Sequence, residues 1–274
     1  MEYSDKAGNR PHDDKASSIN TNSSTKQGRC PPVSLDSETC PVSLLKNGAE
    51  QLGVRLDDSK ASSLLAYKDI LLEWNEKMNL TAIEEEREFI IKHFIDSLSI
   101  LPFIGKVHSL IDVGTGAGFP GIPIKIAQPS LEIVLLDSLE KRVGFLRTVI
   151  SELKLDGITA LHLRAEDAGM APVHREKYDA AVARAVASLP VLLEYCLPLV
   201  KADGIFIAMK GSSAEEIAAS KKALEILGGK IEEVKEFTLP ASDINRSIVI
   251  VRKLRQTPTG FPRKAGKPSK QPLI

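Results

Sequence analysis

Residues 112–121 read Asp-Val-Gly-Thr-Gly-Ala-Gly-Phe-Pro-Gly, and they close a short apolar run, Ser-Leu-Ile-Asp-Val, at 109–113. Three glycines at alternate positions, Gly114, Gly116 and Gly118, let the backbone turn tightly and approach a ligand with no Cβ in the way. Pro120 suits the opening of a helix, where its missing N–H costs nothing. Strand, glycine loop, helix is the order in which open α/β sheets hold nucleotide-like ligands, at the carboxyl ends of the strands where strand order reverses. Downstream, strand-like runs recur at 132–137, 159–163, 178–183 and 204–209, with helical segments at 121–127, 139–155, 189–200 and 212–227. This alternation predicts an α/β fold with a mostly parallel, doubly wound sheet covered on both faces. The last two runs, 230–239 and 247–254, have no helix between them and predict a C-terminal hairpin that contributes one antiparallel strand.

Upstream of the loop the pattern is helical. Leu64, Leu65, Ile70, Leu71, Leu72 and Trp74 recur at helical spacing, and a further helix is expected over 84–99, its acidic start (Glu84, Glu85, Glu86) matching the positive end of the helix dipole. Pro102 and Gly105 punctuate the chain, so 42–105 is expected to form an N-terminal helical cap and 106–256 the ligand-binding domain. Residues 1–41 carry few large apolar side chains and are expected to be a disordered extension. Residues 257–274 form a basic tail expected to pack on or near the same domain, with Arg263, Lys264 and Lys267 available to phosphates and a solvated end as the alternative.

Composition bounds the function. The chain has 274 residues, 36 basic and 36 acidic, with 43% hydrophobic and 26% charged residues, an ordinary globular profile. No apolar run approaches the roughly 20 residues of a membrane span, and the amino-terminal residues contain no apolar leader core, so no membrane association or secretion is expected. Three cysteines make no disulfide framework, which suits the cytoplasm. His12, His93, His108, His162 and His174 show no ligand spacing, so no metal is expected.

The loop leaves two cofactor classes open. Gly116-x-Gly118-x-x-Gly121 satisfies the dinucleotide pattern, weak by itself. Asp137, at the end of the second strand and about 20 residues on, suits ribose hydroxyls in either class. Asp112, two residues before Gly114, and the closing hairpin favour S-adenosylmethionine (AdoMet) over a nicotinamide. A nicotinamide-dependent oxidoreductase and a non-catalytic RNA-binding module remain the rival readings.

The segments LLEWNEKMNLTAI (71–83), KHFIDSL (92–98), DVGTGAGFPGIPIKI (112–126), LLDSLEKRVGFLR (135–147), RAEDAG (164–169), ARAVASL (183–189), MKG (209–211) and FPRKAGKPSKQPL (261–273) together resemble the bacterial ribosomal RNA small subunit methyltransferase G family, also called glucose-inhibited division protein B. The resemblance runs in order over about 44–274. It implies a class I, Rossmann-like AdoMet-dependent methyltransferase that methylates N7 of a guanine in the 530 loop of 16S ribosomal RNA, on free rRNA or the small ribosomal subunit. It carries AdoMet contacts onto Gly114 and Phe119 in the loop, Ala165 and Glu166 after the third strand, and Arg184 at the end of the fourth. Gly116 and Gly118 join them through the loop, and Asp137 is added from fold geometry.

The chemistry suits the sequence. Guanine N7 carries a lone pair and no proton, so direct in-line methyl transfer needs no general base, and proximity can supply the acceleration. Arg184 and Lys210 are the expected supporting groups, and Arg142, Lys210, Arg263, Lys264 and Lys267 the expected RNA contacts. Lys141-Arg142 equally fit a solvated helix start. His93 and Asp96, three apart on one helix face, are expected to brace the cap, and Trp74 to lie in the core. No stable protein partner is evident, and a monomer is expected.

Overall fold

The computed structural model describes residues 40–274. The extension expected at 1–41 lies outside them except for Cys40 and Pro41, and Pro41 already opens the first helix.

The cap begins with α1 (Pro41–Gln51) and α2 (Asp58–Met78). Asp57 starts α2 by accepting the Lys60 N–H at 2.8 Å, and Asn79 ends it in the left-handed region at φ 50°. The helix expected at 84–99 forms in three consecutive pieces: α3 (Glu86–Phe89), a π-helical stretch (Ile90–Ile95) and α4 (Asp96–Leu98). Glu85 caps it, accepting the N–H groups of Arg87 and Glu88 at 3.0 and 2.6 Å. The wide π turn falls on Lys92 and His93, as such turns tend to near functional sites.

The remaining chain alternates as β1 (Ser109–Val113), α5 (Gly121–Ala127), β2 (Glu132–Asp137), α6 (Glu140–Glu152), β3 (Ile158–His162), α7 (Ala165–Met170), β4 (Tyr178–Arg184), α8 (Leu189–Cys196), β5 (Val200–Lys210), α9 (Ala214–Ala219) and α10 (Lys221–Leu227). It closes with the hairpin β6 (Gly229–Thr238) and β7 (Asn245–Lys253), then a short α11 (Lys267–Lys270). The sheet order is β3-β2-β1-β4-β5-β7-β6. Strands β1 to β5 are parallel, and β7 runs antiparallel to both neighbours, with Ile207 opposite Ile250. The order reverses between β1 and β4, which places the ligand crevice beyond Val113 and Arg184.

Side chains alternate across the sheet into two cores. Leu110, Val182, Ile207 and Ile250 join the cap helices and Phe145 on one face, while Ile111, Ala183, Phe206 and Val251 pack with α8 and α10 on the other. Continuous apolar strands are what burial on both faces demands.

Two helices differ from expectation for local reasons. The helix expected to reach residue 200 stops at Cys196, because Pro198 lacks an N–H and turns the chain through a 3₁₀ segment, Leu197–Leu199, into β5. The helix expected at 212–227 breaks at Ser220, whose hydroxyl bonds back to the Glu216 carbonyl at 2.7 Å.

Candidate active site

Between β1 and α5 the backbone carries positive φ at Gly114 (72°), Gly116 (63°) and Gly118 (100°), a run that side-chain-bearing residues rarely sustain. The three glycines do different things. A Cβ at Gly114 would lie 2.7 Å from Val186, one at Gly118 would strike Ile122 and the Tyr67 hydroxyl, and one at Gly116 would meet nothing within 4 Å. Gly116 alone faces open space. Asp137 holds the loop, its Oδ2 accepting the Gly116 N–H at 2.9 Å and its Oδ1 the Leu139 N–H at 2.9 Å. Tyr67 reaches over from α2 to donate its hydroxyl to the Ala117 carbonyl.

Asp112 lies beneath the loop, fully buried. Its Oδ2 accepts from the Thr115 hydroxyl at 2.6 Å and the Gly121 N–H at 2.9 Å. Its Oδ1, alone among the buried side-chain polar atoms of the described residues, has no hydrogen-bond partner. Burial pushes this carboxyl up to about 6, against the pull of those two donors.

Beyond the strand ends lies a cavity of about 190 Å³ whose walls include Gly114, Asp137, Ala165, Glu166, Tyr195 and Ser269. Glu166 opens α7 and is buried; its Oε1 accepts the Gly266 N–H at 2.8 Å. The tail, remote in sequence from the glycine loop, thus comes against the same cavity.

A second cavity, about 410 Å³, takes Arg184 and Ala185 where the first takes Val186 and Ala187, and is also lined by Lys92, His93, Asp96, Lys210 and Arg246. Asp96 sits at its floor between two arginines: Oδ2 accepts from Arg184 at 2.9 Å and Oδ1 from Arg246 at 2.8 Å. The Arg184 guanidinium lies 5.0 Å from the centre of the Phe119 ring, and His93 stacks on the same ring at 4.4 Å and 7°. His93 is also bonded at Nε2 to the Thr81 hydroxyl, at 2.8 Å. Burial, then the charges of Arg184 and Lys92, push its imidazole down to about 3, so it stays neutral near pH 7.

The structure brings Gly114, Asp137, Ala165 and Glu166 to the first cavity and Arg184 and Lys210 to the second. Phe119 is instead a buried platform for Arg184 and His93, and Gly118 packs inward against Ile122 and Tyr67. Lys210 is nearly buried, donating to the Ala187 carbonyl at 2.6 Å and paired with Glu216 at 2.8 Å. Arg263 is engaged by buried Glu194, with nitrogen–oxygen distances of 2.6 to 3.1 Å. Arg142 is partly exposed, 3.6 Å from Asp137, and Lys264 and Lys267 are exposed. Sequence reasoning missed Arg246, Tyr195 and Ser269. Only Arg246 left a signal, a lone cation heading the apolar run of β7. Among the described residues no group of three or more His, Cys, Asp or Glu could hold a metal ion.

A five-strand parallel sheet closed by an antiparallel β7, with a glycine loop at the reversal of strand order, defines the class I methyltransferase fold. The model of the family described as rRNA small subunit methyltransferase G matches residues 60–248, and the chain belongs to that family of methyltransferases. Ribosomal RNA small subunit methyltransferase G of Acetivibrio thermocellus is 64% identical over 231 residues, which cover 84% of this chain and 96% of that relative. The protein of the same name from Alkaliphilus metalliredigens is 56% identical over 233 residues, covering 84% and 98%. The crystal structure of the [4+2]-cyclase SpnF is similar in fold alone, with a TM-score of 0.50 and 14% identity over 72% of this chain and 96% of that one.

Proposed function

We propose that the chain transfers a methyl group from AdoMet to N7 of a guanine in the 530 loop of 16S rRNA. The observation that carries this reading is that one loop serves two cavities: Arg184 and Ala185 line the one with Lys92 and Arg246, and Val186 and Ala187, next along the chain, line the one with Asp137 and Glu166. The family description supplies the ribosomal RNA.

The donor set fits the cofactor. Asp137 and Glu166 are acceptors suited to a ribose diol and to amino groups, and each carboxylate oxygen keeps a lone pair beyond the N–H it already holds. The unpartnered Oδ1 of Asp112, beside the glycine loop, suits an ammonium or a water. Bound there, AdoMet would supply an electrophilic methyl on a sulfonium. The second cavity suits the target nucleotide, since Arg184, Arg246 and Lys92 attract phosphate and guanine O6.

No general base is required, and the second cavity offers none. His93 is stacked, bonded to Thr81 and held neutral with a weakly basic ring, while Asp96 is consumed by two guanidiniums. The protein's contribution is alignment and charge, worth several kcal/mol when the reacting atoms are held in line. It works as a monomer in the cytoplasm. Among the described residues no helix is long and apolar enough to cross a membrane.

The test is methyl transfer from tritiated AdoMet to 16S rRNA and to small subunits, followed by mass spectrometry of nuclease digests. Label at guanine N7 in the 530 loop is expected. Label at another base, or binding of NAD(H) in place of AdoMet, would refute the reading.

A further inference from the structure

We propose that the C-terminal segment 257–274 is a wall of the cofactor cavity and that, through it, RNA binding and cofactor binding strengthen one another. This rests on the AdoMet and RNA reading above and adds a coupling between the two ligands.

The inward side of the segment is built into the site. Ser269 lines the cavity, and its hydroxyl lies 2.8 Å from that of Tyr195, which lines it too. The Gly266 N–H takes one oxygen of Glu166, a cavity carboxylate that is 4% exposed. Arg263 clasps Glu194, which is 1% exposed and next to Tyr195 in α8. Pro262 packs so closely on Gly169, in α7, that a Cβ there would sit 2.8 Å from it. Leu273 anchors the far end in the α8-side core.

The outward side is cationic. Lys264, Lys267 and Lys270 are exposed, and none takes part in a salt bridge among the described residues. Docking therefore does two things at once. It completes the cavity around Glu166 and Tyr195, and it leaves an array of three lysines exposed along the same short segment.

A polyanion that binds the array favours the docked segment, and so does a ligand that fills the cavity. Two ligands that favour the same state raise each other's affinity by the same factor, commonly about 5- to 150-fold. An independent RNA-binding arm would show no such coupling.

The experiment is calorimetric titration of the full chain with S-adenosylhomocysteine, with and without a 530-loop RNA fragment. Three further chains are compared: one ending at residue 256, Gly266→Pro, and Lys264→Gln/Lys267→Gln/Lys270→Gln. Proline at 266 removes the N–H given to Glu166 and cannot adopt φ +78°. Should the truncated chain melt early, Gly266→Pro carries the test.

Expected are a loss of about ten-fold or more in S-adenosylhomocysteine affinity for Gly266→Pro, a gain of about five-fold or more for the full chain on adding RNA, and loss of most of that gain in the triple variant. Equal affinity of the full chain and Gly266→Pro would overturn the wall. An affinity indifferent to RNA would overturn the coupling while leaving the cofactor reading intact. No binding of S-adenosylhomocysteine by the full chain would overturn the cofactor reading, and this inference with it.

Discussion

Asp96 receives two guanidiniums from strands that follow it by 88 and 150 residues, and its side chain is 5% exposed. Removing one side of a buried ion pair leaves uncompensated charge, at a cost of about 3–5 kcal/mol. Asp96→Asn is therefore expected to lower unfolding free energy in urea by that order and, by freeing Arg184 from its place over Phe119, to slow methyl transfer at saturating RNA. Two other groups, half-buried His93 and buried Asp112, give opposite pH signatures. His93, with a folded value of about 3 against the usual 6.5, is protonated first in the unfolded chain, so stability falls as pH drops from about 6.5. Asp112, with a folded value of about 6, keeps a proton that the unfolded carboxyl has lost, so it adds stability as pH falls from 6 toward 4. Thermal melts across pH 4–8 should show His93→Gln losing most of its acid sensitivity, and Asp112→Asn more stable than the parent at pH 8. Asp112 is legible in sequence because its partners, Thr115 and Gly121, lie within ten residues. The role of Asp96 is not, because nothing local to Asp96 announces Arg246.

Around the glycine loop, strand, turn and helix contribute separable requirements. At Gly116 a side chain meets only an unfavourable φ, a cost of about 1–2 kcal/mol, whereas at Gly118 it also strikes Ile122 and Tyr67. Gly118→Ala is accordingly expected to lose more stability in urea than Gly116→Ala, while Gly116→Val keeps a folded spectrum and loses cofactor binding by calorimetry. β1, β2 and α5 fall where the apolar runs place them, since a strand buried on both faces is a continuous signal. The α7 helix escaped notice because six residues ending in Gly-Met carry no helical period. The 189–200 segment misled because Leu and Val look alike in a helix and in a buried strand, and Pro198 sets the boundary.

At the scale of the molecule, cap and sheet are one folding unit: Leu64, Leu71 and Phe94 share a core with Val182, Ile207 and Ile250. Composition shows where the helical region stops, yet it cannot show that its apolar faces have no partner other than the sheet. Trp74, the chain's single tryptophan, lies on α2 with its ring 5.7 Å from that of Phe145 on α6. Its fluorescence and the far-ultraviolet dichroism are expected to trace coincident unfolding curves; a separate fluorescence transition would show the cap melting alone. Removing residues 1–39, whose sequence adds little apolar surface, is expected to leave that curve unchanged. The seam between cap and sheet also bears on chimeras of related chains. The linker before β1 is the natural crossover when the sequence alone is consulted. A splice there parts Asp96 from Arg184 and Arg246, Tyr67 from the carbonyl of Ala117, and Arg87 from that of Ala241. A transplanted cap would have to find the same partners in its new host, so exchangeable blocks in this protein are sets of distant residues rather than stretches of chain.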